Sequence, residues 1–472
     1  MSQRGFFGRR IQGLQRVWQA IAGSEYDEEA ASLRPELPEE DRPRLFRRMR
    51  QCLEARGGEV TARSQAAALG RVYLALNEAG RLEFLRMLAR EFDLDPQAVG
   101  KALRALRGAD TAQDRREARL ALMKATESPR TRILTRFNAL PEGVKFLVDL
   151  RADLLPLARE DPLLASLDDD LRALLGSWFD VDFLQLRRIS WQTASGALLE
   201  KFMAYEAVHP VESWEDLKNR LDQDRRYFAF FHPRMPEEPL IFLEVALVQG
   251  MAGNIQELLD PEKPVGDPNQ ADTAIFYSIS NAQKGLAGIA FGGFLIKRVV
   301  DELAAEFPAL DTFATLSPLP GFWGWLKRVL VEEDVDDLLL SSEAKRLREF
   351  VGGKNPAPWI AGVLQKAQWQ KDDGLEGAVR PVFLRLAARY LKEAKRPGGG
   401  ALDPVAHFHL SNGARIQNLN WAGDTSRRGL EQSGGIMVNY LYDSRKIEGN
   451  HEAYKGRGEV SISASIRGLL KS

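Results

Sequence analysis

The chain has 472 residues, of which 44% are hydrophobic and 28% are charged, so it can bury a sizeable core and, by length, form two or three domains. Its 65 basic and 66 acidic residues leave a formal net charge of -1, which argues against a nucleic-acid-binding protein. The single cysteine, Cys52, excludes an intrachain disulfide and a cysteine metal cluster.

The first 23 residues are basic and carry apolar residues at near-helical spacing, which favours an amphipathic helix docked on its own protein. They lack the apolar block and cleavage site of a secretory signal. Because they contain no acidic residue, an organelle transit segment stays open as an alternative. No apolar run along the sequence reaches the ~20 residues of a membrane span.

The first part of the chain has the pattern of helices. Asp95-Pro96 is a helix start, and Thr111 with Asp114 resembles a capping box. One apolar stripe has a spacing of three or four residues and consists of Leu147, Leu150, Leu154 and Leu157. We therefore predict an all-α helical bundle over residues 1–182, with charged outer faces that suit oligomerisation.

Residues 183–472 have a different pattern, in which apolar runs of strand length alternate with helical stretches. An amphipathic helix is predicted over Phe294–Phe307. Asn412-Gly413 predicts the turn of a hairpin between Val405–Leu410 and Ala414–Trp421. Further strands are predicted over Leu240–Val248, Ala274–Ile279, Thr312–Leu316 and Gly435–Tyr442. This pattern indicates an α/β domain built around one sheet.

A glycine-bearing loop, residues 283–293, lies between a predicted strand and the predicted helix. Such a loop favours an anion site, because unpaired backbone N–H groups converge where the helix begins. It is neither a Walker loop nor a Rossmann fingerprint. It fits the looser Gly-x-Ala pattern of acyl-CoA-binding acetyltransferase-like folds at Gly285–Ala287 or Gly288–Ala290. A tight structural turn is the alternative.

Two short segments contain candidates for chemistry. His407 and His409 are two residues apart in the predicted hairpin and would share one face of a strand. No Asp, Glu or Cys accompanies them at metal spacing, so a buried structural histidine is the alternative to a ligand. Ser317 ends a predicted strand, and no Gly-x-Ser-x-Gly elbow surrounds it, which argues against a hydrolase nucleophile. For Ser317 the alternative is a strand-ending turn.

Together these segments resemble the malonyl-CoA decarboxylase family. The blocks keep the family's order and approximate spacing across the second region, whereas the helical first region matches in length, character and position. The matching blocks are Ile275–Ile279, Gly285–Gly288, Phe294–Val300, Leu316–Phe322, His409-Leu410 with Asn412–Ala414, Asn420-Trp421, and Met437–Tyr440 with Tyr442.

The resemblance implies an α+β protein, with a helical N-terminal domain and a catalytic domain of the acetyltransferase-like (GNAT) fold, assembled into a homotetramer. It implies that Ser317 and His409 act on the malonyl group of malonyl-CoA. His407 has no clear family counterpart, and Ala290 stands where animal relatives carry a glutamate. The residues expected to bind substrate are Ala287, Gly288, Ile289, Ala290, Phe291, Gly292 and Gly293, together with Ser278 and Tyr442.

The activity implied is the conversion of malonyl-CoA to acetyl-CoA and CO2 through a thioester enolate. A thioester is an adequate electron sink, so we expect neither a cofactor nor a metal. Histidine titrates near 6.5 when unperturbed, which makes His409 the expected proton donor. The chain lacks the Ser-Lys-Leu ending of peroxisomal relatives, so a bacterial cytoplasmic protein is expected. The alternatives are an acyl-CoA-dependent acyltransferase of the same fold and a non-enzymatic helical scaffold that senses CoA ligands.

Overall fold

The computed structural model describes residues 14–22, 33–54, 58–179, 184–289, 295–332, 338–353, 356–363 and 373–471. The chain divides into two compact units. Unit 1 comprises Met1–Gln185, Phe231–Leu240 and Ala282–Phe291, and unit 2 comprises Leu186–Phe230, Ile241–Asn281 and Gly292–Ser472. The helical first region and the mixed second region confirm the predicted α+β class.

Unit 1 consists mainly of helices. The predicted helix starts are confirmed, because the Asp95 carboxylate accepts the N–H of Gln97 and the Thr111 hydroxyl accepts that of Asp114. The helices are α1 over residues 14–22, α2 Arg42–Glu54, α3 Glu59–Ala75, α4 Glu78–Glu91, α5 Pro96–Arg107, α6 Ala112–Ala125, α7 Pro129–Arg136, α8 Gly143–Ala158 and α9 Pro162–Trp178.

The described part of the N-terminal segment, α1, packs on its own unit as predicted. The Trp18 ring is fully buried, with its centroid 4.9 Å from that of Phe146 and 6.0 Å from that of Phe137. Its indole N–H donates to the carbonyl of Pro141 at 2.9 Å. A buried aromatic whose polar end is also satisfied anchors the helix strongly. Residues 1–13 lie outside the described residues.

The second region contains a mixed sheet in the order β1-β2-β3-β4-β5-β8-β6, with β7 also paired to β8. β3 and β4 pair antiparallel and β4 and β5 pair parallel, while β8 pairs antiparallel with β5, β6 and β7. The strands are β1 Gln185–Ile189, β2 Arg225–His232, β3 Met235–Val248, β4 Thr273–Asn281, β5 Thr312–Thr315, β6 Ser317–Pro318, β7 Arg415–Asn420 and β8 Met437–Leu441.

Helices accompany the sheet in the sequence. Helix α13 occupies the crossover between the parallel strands β4 and β5, a connection that cannot be made by a tight turn. The helices are α10 Gly196–Tyr205, α11 Trp214–Asn219, α12 Ile255–Leu258, α13 Leu295–Glu306, α14 Phe322–Glu332, α15 Ser341–Phe350, α16 Pro356–Val363, α17 Asp373–Glu393, α18 Pro404–Ser411, α19 Arg427–Ser433, α20 Ile447–Arg457 and α21 Ala464–Leu469. No helix in the described parts of the chain is long and apolar enough to cross a bilayer.

The predicted hairpin over Val405–Trp421 is wrong in its first half, which is helix α18. The Asp403 carboxylate caps this helix by accepting the N–H groups of Val405 and Ala406, and Pro404 occupies the first turn. Gly413, at φ 80°, ends the helix instead of turning a hairpin. The N–H of Ala414 bonds to the carbonyl of His409, as in a Schellman motif.

This correction changes the relation between the two histidines. In a helix, residues two apart point in different directions, so His407 and His409 do not share a face. The second half of the predicted hairpin is confirmed as β7.

Candidate active site

Ser317 lies in the short strand β6, where the chain turns away from β5. Ala314 in β5 pairs with Leu441 of β8, and Ser317 then pairs with Val438 of the same strand. Its side chain is buried, with 6% of the residue exposed. Two pairings with one neighbouring strand hold the serine against the sheet.

His409 brings Ser317 and Tyr442 into one row. Its Nε2 lies 3.1 Å from the Ser317 hydroxyl oxygen, and its Nδ1 lies 2.8 Å from the Tyr442 hydroxyl oxygen. The Tyr440 ring stacks on the imidazole with centroids 4.4 Å apart. The structure therefore places His409 within hydrogen-bond distance of both Ser317 and Tyr442, three residues that the resemblance singled out, and all three are buried. We call Ser317, His409 and Tyr442 the Ser–His–Tyr row.

Burial sets the protonation states in this row. It lowers the pKa of His409 to about 3 and raises the pKa of Tyr442 well above its usual 10. At neutral pH the imidazole is therefore neutral, which differs from the ordinary histidine that the sequence led us to expect. A neutral imidazole moves a proton by exchanging one ring N–H for the other.

Asp403 ties the two segments of this row together. Its Oδ1 caps α18, which carries His409, and its Oδ2 accepts the N–H of Gly321 at 3.0 Å. Gly321 follows Ser317 in the same turn, so one buried carboxylate orients both segments. The sequence held a signal for this residue, because Asp403-Pro404 repeats the helix-start pattern of Asp95-Pro96.

Ser278 is buried among other polar groups of unit 2. Its hydroxyl donates to the two Glu206 carboxylate oxygens at 2.9 and 2.8 Å, and it pairs across the sheet with Glu244. Glu244 is fully buried, and desolvation together with the nearby charge of Glu206 raises its pKa to about 8. These two effects outweigh the positive charge of the Arg220 guanidinium, which lies 3.4 Å from Glu244 and lowers its pKa.

The glycine loop is described up to Ile289 and is part of unit 1. A side chain at Gly285 would place Cβ 1.7 Å from the backbone oxygen of Val148, so packing requires this glycine. Arg151 donates to the carbonyls of Gly285 and Ala287 at 2.7 and 2.9 Å. Gly288 has φ 76°, which favours glycine. The predicted binding residues Ala290, Phe291, Gly292 and Gly293 lie outside the described residues.

His407 makes a separate contact, away from Ser317. Its Nδ1 lies 2.8 Å from the hydroxyl oxygen of Tyr454, which accepts the N–H of Ala401 at 2.7 Å. Burial and the charges of Arg396 and Lys455 lower the pKa of His407 to about 4. These contacts give His407 a structural role, in holding the glycine-rich turn that precedes α18.

Two further observations bear on chemistry. Among the residues that the structure describes, no group of three or more His, Cys, Asp or Glu side chains is placed to hold a metal ion.

The sequence also gave no reason to single out Thr315, whose hydroxyl oxygen lies 2.9 Å from that of Ser317.

Comparison with known protein families decides what this chain is related to. The model of the malonyl-CoA decarboxylase C-terminal domain matches residues 182–472, and that of the N-terminal domain matches residues 92–179. The chain belongs to the malonyl-CoA decarboxylase family. Mitochondrial malonyl-CoA decarboxylases from Rattus norvegicus and Mus musculus are 37% and 38% identical to it, over 87% of this chain and 86% of each relative.

Solved structures of malonyl-CoA decarboxylases are also similar to this chain. The crystal structure from Rhodopseudomonas palustris aligns with a TM-score of 0.82 at 42% identity, and that from Agrobacterium vitis with a TM-score of 0.81 at 38% identity. Each alignment covers 90% of this chain and 99% of the other. The similarity therefore extends through both the helical region and the mixed sheet.

Proposed function

We propose that this chain is a carboxy-lyase that converts malonyl-CoA to acetyl-CoA and CO2. The observation that supports this activity most directly is the 3.1 Å separation between the Ser317 hydroxyl and His409 Nε2 in a member of the malonyl-CoA decarboxylase family. A buried hydroxyl beside a neutral imidazole suits the handling of a carboxylate and one proton.

In the proposed reaction the bond between the malonyl α-carbon and its carboxylate breaks, and CO2 leaves. The bonding electrons pass into the thioester, whose oxygen becomes an enolate. Fixed backbone N–H groups are the expected donors to that oxygen, and each is worth roughly 3 kcal/mol in comparable enzymes. Ser317 orients the departing carboxylate through its hydroxyl.

The α-carbon then takes up one proton, which neutral His409 supplies through Nε2 and Ser317. The Tyr442 hydroxyl returns a proton to Nδ1, so the imidazole stays neutral and changes tautomer. When the products leave, a solvent proton enters at Ser317 and Nε2, and the Nδ1 hydrogen returns to Tyr442. This balances the one proton consumed per turnover and restores the starting tautomer. An anionic malonyl carboxylate close to the imidazole would raise the pKa of His409 from its depressed value.

The loop from Ala287 to Gly293 is the proposed binding segment for the CoA diphosphate. Gly288 supports this role, because its positive φ turns the backbone and no atom of the described residues lies within 4 Å of a Cβ built there. Ser278 stays a predicted substrate-binding residue. To bind substrate, its hydroxyl would have to leave the Glu206 carboxylate.

We also propose that residues 183–472 form a GNAT-like catalytic domain and residues 1–182 a helical domain. The succession of β4, a glycine loop, α13 and β5 supports the GNAT-like proposal, since it creates a parallel pair next to the antiparallel pairings of β3 with β4 and of β5 with β8.

The proposed assembly is a homotetramer formed through the helical domain. The hairpin of α5 and α6 supports it, because three of its apolar side chains, Leu103, Leu120 and Met123, are 39–63% exposed. Exposed apolar side chains on neighbouring helices are often covered by a partner. A second copy is the proposed cover, and light scattering of the wild type and Leu120→Glu would measure it.

We propose that catalysis needs neither a metal nor a further cofactor, since the substrate thioester itself accepts the electrons. The proposed location is the cytoplasm of a bacterium, which the similarity to crystal structures from Rhodopseudomonas palustris and Agrobacterium vitis supports. An organelle remains the alternative location, because curated relatives are mitochondrial.

The deciding experiment incubates the purified full chain with malonyl-CoA and a chelator, and measures acetyl-CoA and CO2 together. Equal amounts of both products, lost in Ser317→Ala, are expected. Transfer of the acyl group to an amine without CO2 release would instead identify an acyltransferase. Binding of malonyl-CoA with no product at all would favour the sensing scaffold.

A further inference from the structure

A fourth polar group, on Thr315, adjoins the Ser–His–Tyr row. Thr315 ends β5 and is fully buried. Its Oγ1 accepts the hydroxyl of Ser317 at 2.9 Å and the backbone N–H of Tyr440 at 3.2 Å. Its carbonyl accepts the Asn439 side-chain amide at 2.7 Å. Thr315 is thus held on both sides by β8 residues and presents a fixed acceptor to Ser317.

The direction of each hydrogen bond in the row follows from the number of hydrogens available. Before substrate binds, Ser317 directs its one hydroxyl hydrogen to Thr315. The contact between Ser317 and His409 Nε2 therefore needs a hydrogen from the imidazole. A neutral imidazole has one N–H, so Nδ1 is left as an acceptor for the Tyr442 hydroxyl.

We propose that Thr315 is a positioning residue that sets the tautomer of His409, placing the ring hydrogen on Nε2, the nitrogen that faces Ser317. Without the Thr315 oxygen, the Ser317 hydroxyl would turn to Nε2. The ring hydrogen would then move to Nδ1 and donate to Tyr442. The hydrogen bonds would then be donated from Ser317 to His409 and from His409 to Tyr442. Nε2 would carry no hydrogen to pass toward the substrate carbon.

The kinetic consequence rests on the proposed decarboxylation and is measured with two substitutions. Thr315→Val keeps the shape but removes the acceptor, and it should lower kcat roughly 10- to 100-fold with KM within about threefold of wild type. Thr315→Ser restores a hydroxyl and should stay within about threefold in kcat. Equal losses in the Val and Ser variants would overturn the proposal.

A matched control comes from the neighbouring strand. Thr273 in β4 is also buried, 2% exposed, and its hydroxyl donates to Asp272 instead of to a residue of the Ser–His–Tyr row. Thr273→Val should keep the wild-type kcat. Full activity in both Val variants would refute the role of Thr315.

The second readout needs no turnover, so it separates this inference from the proposed function. Nitrogen-15 NMR of histidine-labelled full chain reports which ring nitrogen of His409 carries hydrogen, and the spectrum of His409→Asn assigns the signals. Wild type and Thr315→Ser should show the hydrogen on Nε2, and Thr315→Val should show it on Nδ1. If Thr315→Val does not fold, the wild type decides alone, because a hydrogen on Nδ1 there would overturn the proposal.

Discussion

The Asp403 carboxylate accepts the backbone N–H of Gly321 at 3.0 Å. Through its other oxygen the same side chain caps α18 at Val405 and Ala406. Gly321 lies just after Ser317 and α18 carries His409, so this contact links the two segments that form the Ser–His–Tyr row. Desolvation on burial raises the pKa of Asp403, while the backbone N–H groups oppose that rise by stabilising its charge.

Asp403→Ala should therefore reduce both stability and activity. It removes a helix cap and leaves the partly buried N–H of Gly321 without its acceptor, which we expect to cost about 2 kcal/mol of unfolding free energy. Because Ser317 and His409 lose their common support, kcat should fall at least about tenfold. Urea denaturation and steady-state kinetics measure the two effects.

Asp95→Ala is the matched control, since Asp95 caps α5 before a proline in the same way. Asp95→Ala should lower the unfolding free energy by about 1 kcal/mol and leave kcat unchanged. If the two variants lose kcat equally, the link between Asp403 and the active site is wrong.

His409→Asn should lower kcat far more than it weakens CoA binding, because it removes the imidazole that connects Ser317 with Tyr442. A fall of roughly 100-fold or more is expected for a group that takes part in proton transfer. His407→Asn, on the same helix, should lose stability through Tyr454 and keep kcat within about threefold. Steady-state kinetics and calorimetric titration with acetyl-CoA compare them, and an unchanged kcat in His409→Asn would reject the proton-transfer role.

The buried carboxyl of Glu244 should make the protein less stable at alkaline pH. Its folded pKa of about 8 lies above its ordinary value of 4.5, so the folded state holds the proton more tightly than the unfolded chain does. The resulting stabilisation is fully present below pH 4.5 and is lost as the pH rises through 8. Between pH 6 and 9 the loss should be on the order of 2 kcal/mol.

Glu244→Gln places a neutral amide at this position at every pH. It should therefore flatten the decline of stability with pH, measured as the urea midpoint from pH 6 to 9. Glu257→Gln, on the exposed side of α12, should keep the wild-type slope. An identical slope in wild type and Glu244→Gln would show that Glu244 is already ionised in the folded protein at pH 6.

Gly285→Ala should destabilise unit 1 and weaken substrate binding. The added Cβ would lie 1.7 Å from the Val148 carbonyl oxygen, a backbone atom that cannot rotate away. The glycine loop must then separate from α8, which we expect to cost about 2 kcal/mol or more and to raise KM for malonyl-CoA. Gly100→Ala, in the exposed helix α5, is the control and should stabilise slightly. Wild-type stability in Gly285→Ala would mean that the loop packs differently.

Local chemistry made several elements predictable from the sequence. The caps at Asp95 and Thr111, the apolar strands β3 and β4, and the unit of β4, glycine loop and α13 each depend on residues close together in the chain. The same kind of signal was present at Asp403-Pro404, but Asn412-Gly413 fits a hairpin turn and a helix end equally well. The tertiary structure therefore selects the helix α18 over the hairpin.

The resemblance singled out Ser317, His409 and Tyr442 by type and order, and the sequence by itself determined no distance between them. Ser317 and His409 are 92 residues apart in the chain, and only the pairing of β6 with β8 and the docking of α18 bring them to 3.1 Å. Thr315 and Asp403 gain their roles in the same way. The depressed pKa of His409 also comes from the tertiary structure, because desolvation is produced by all the groups that surround the imidazole and by no single neighbour in the sequence.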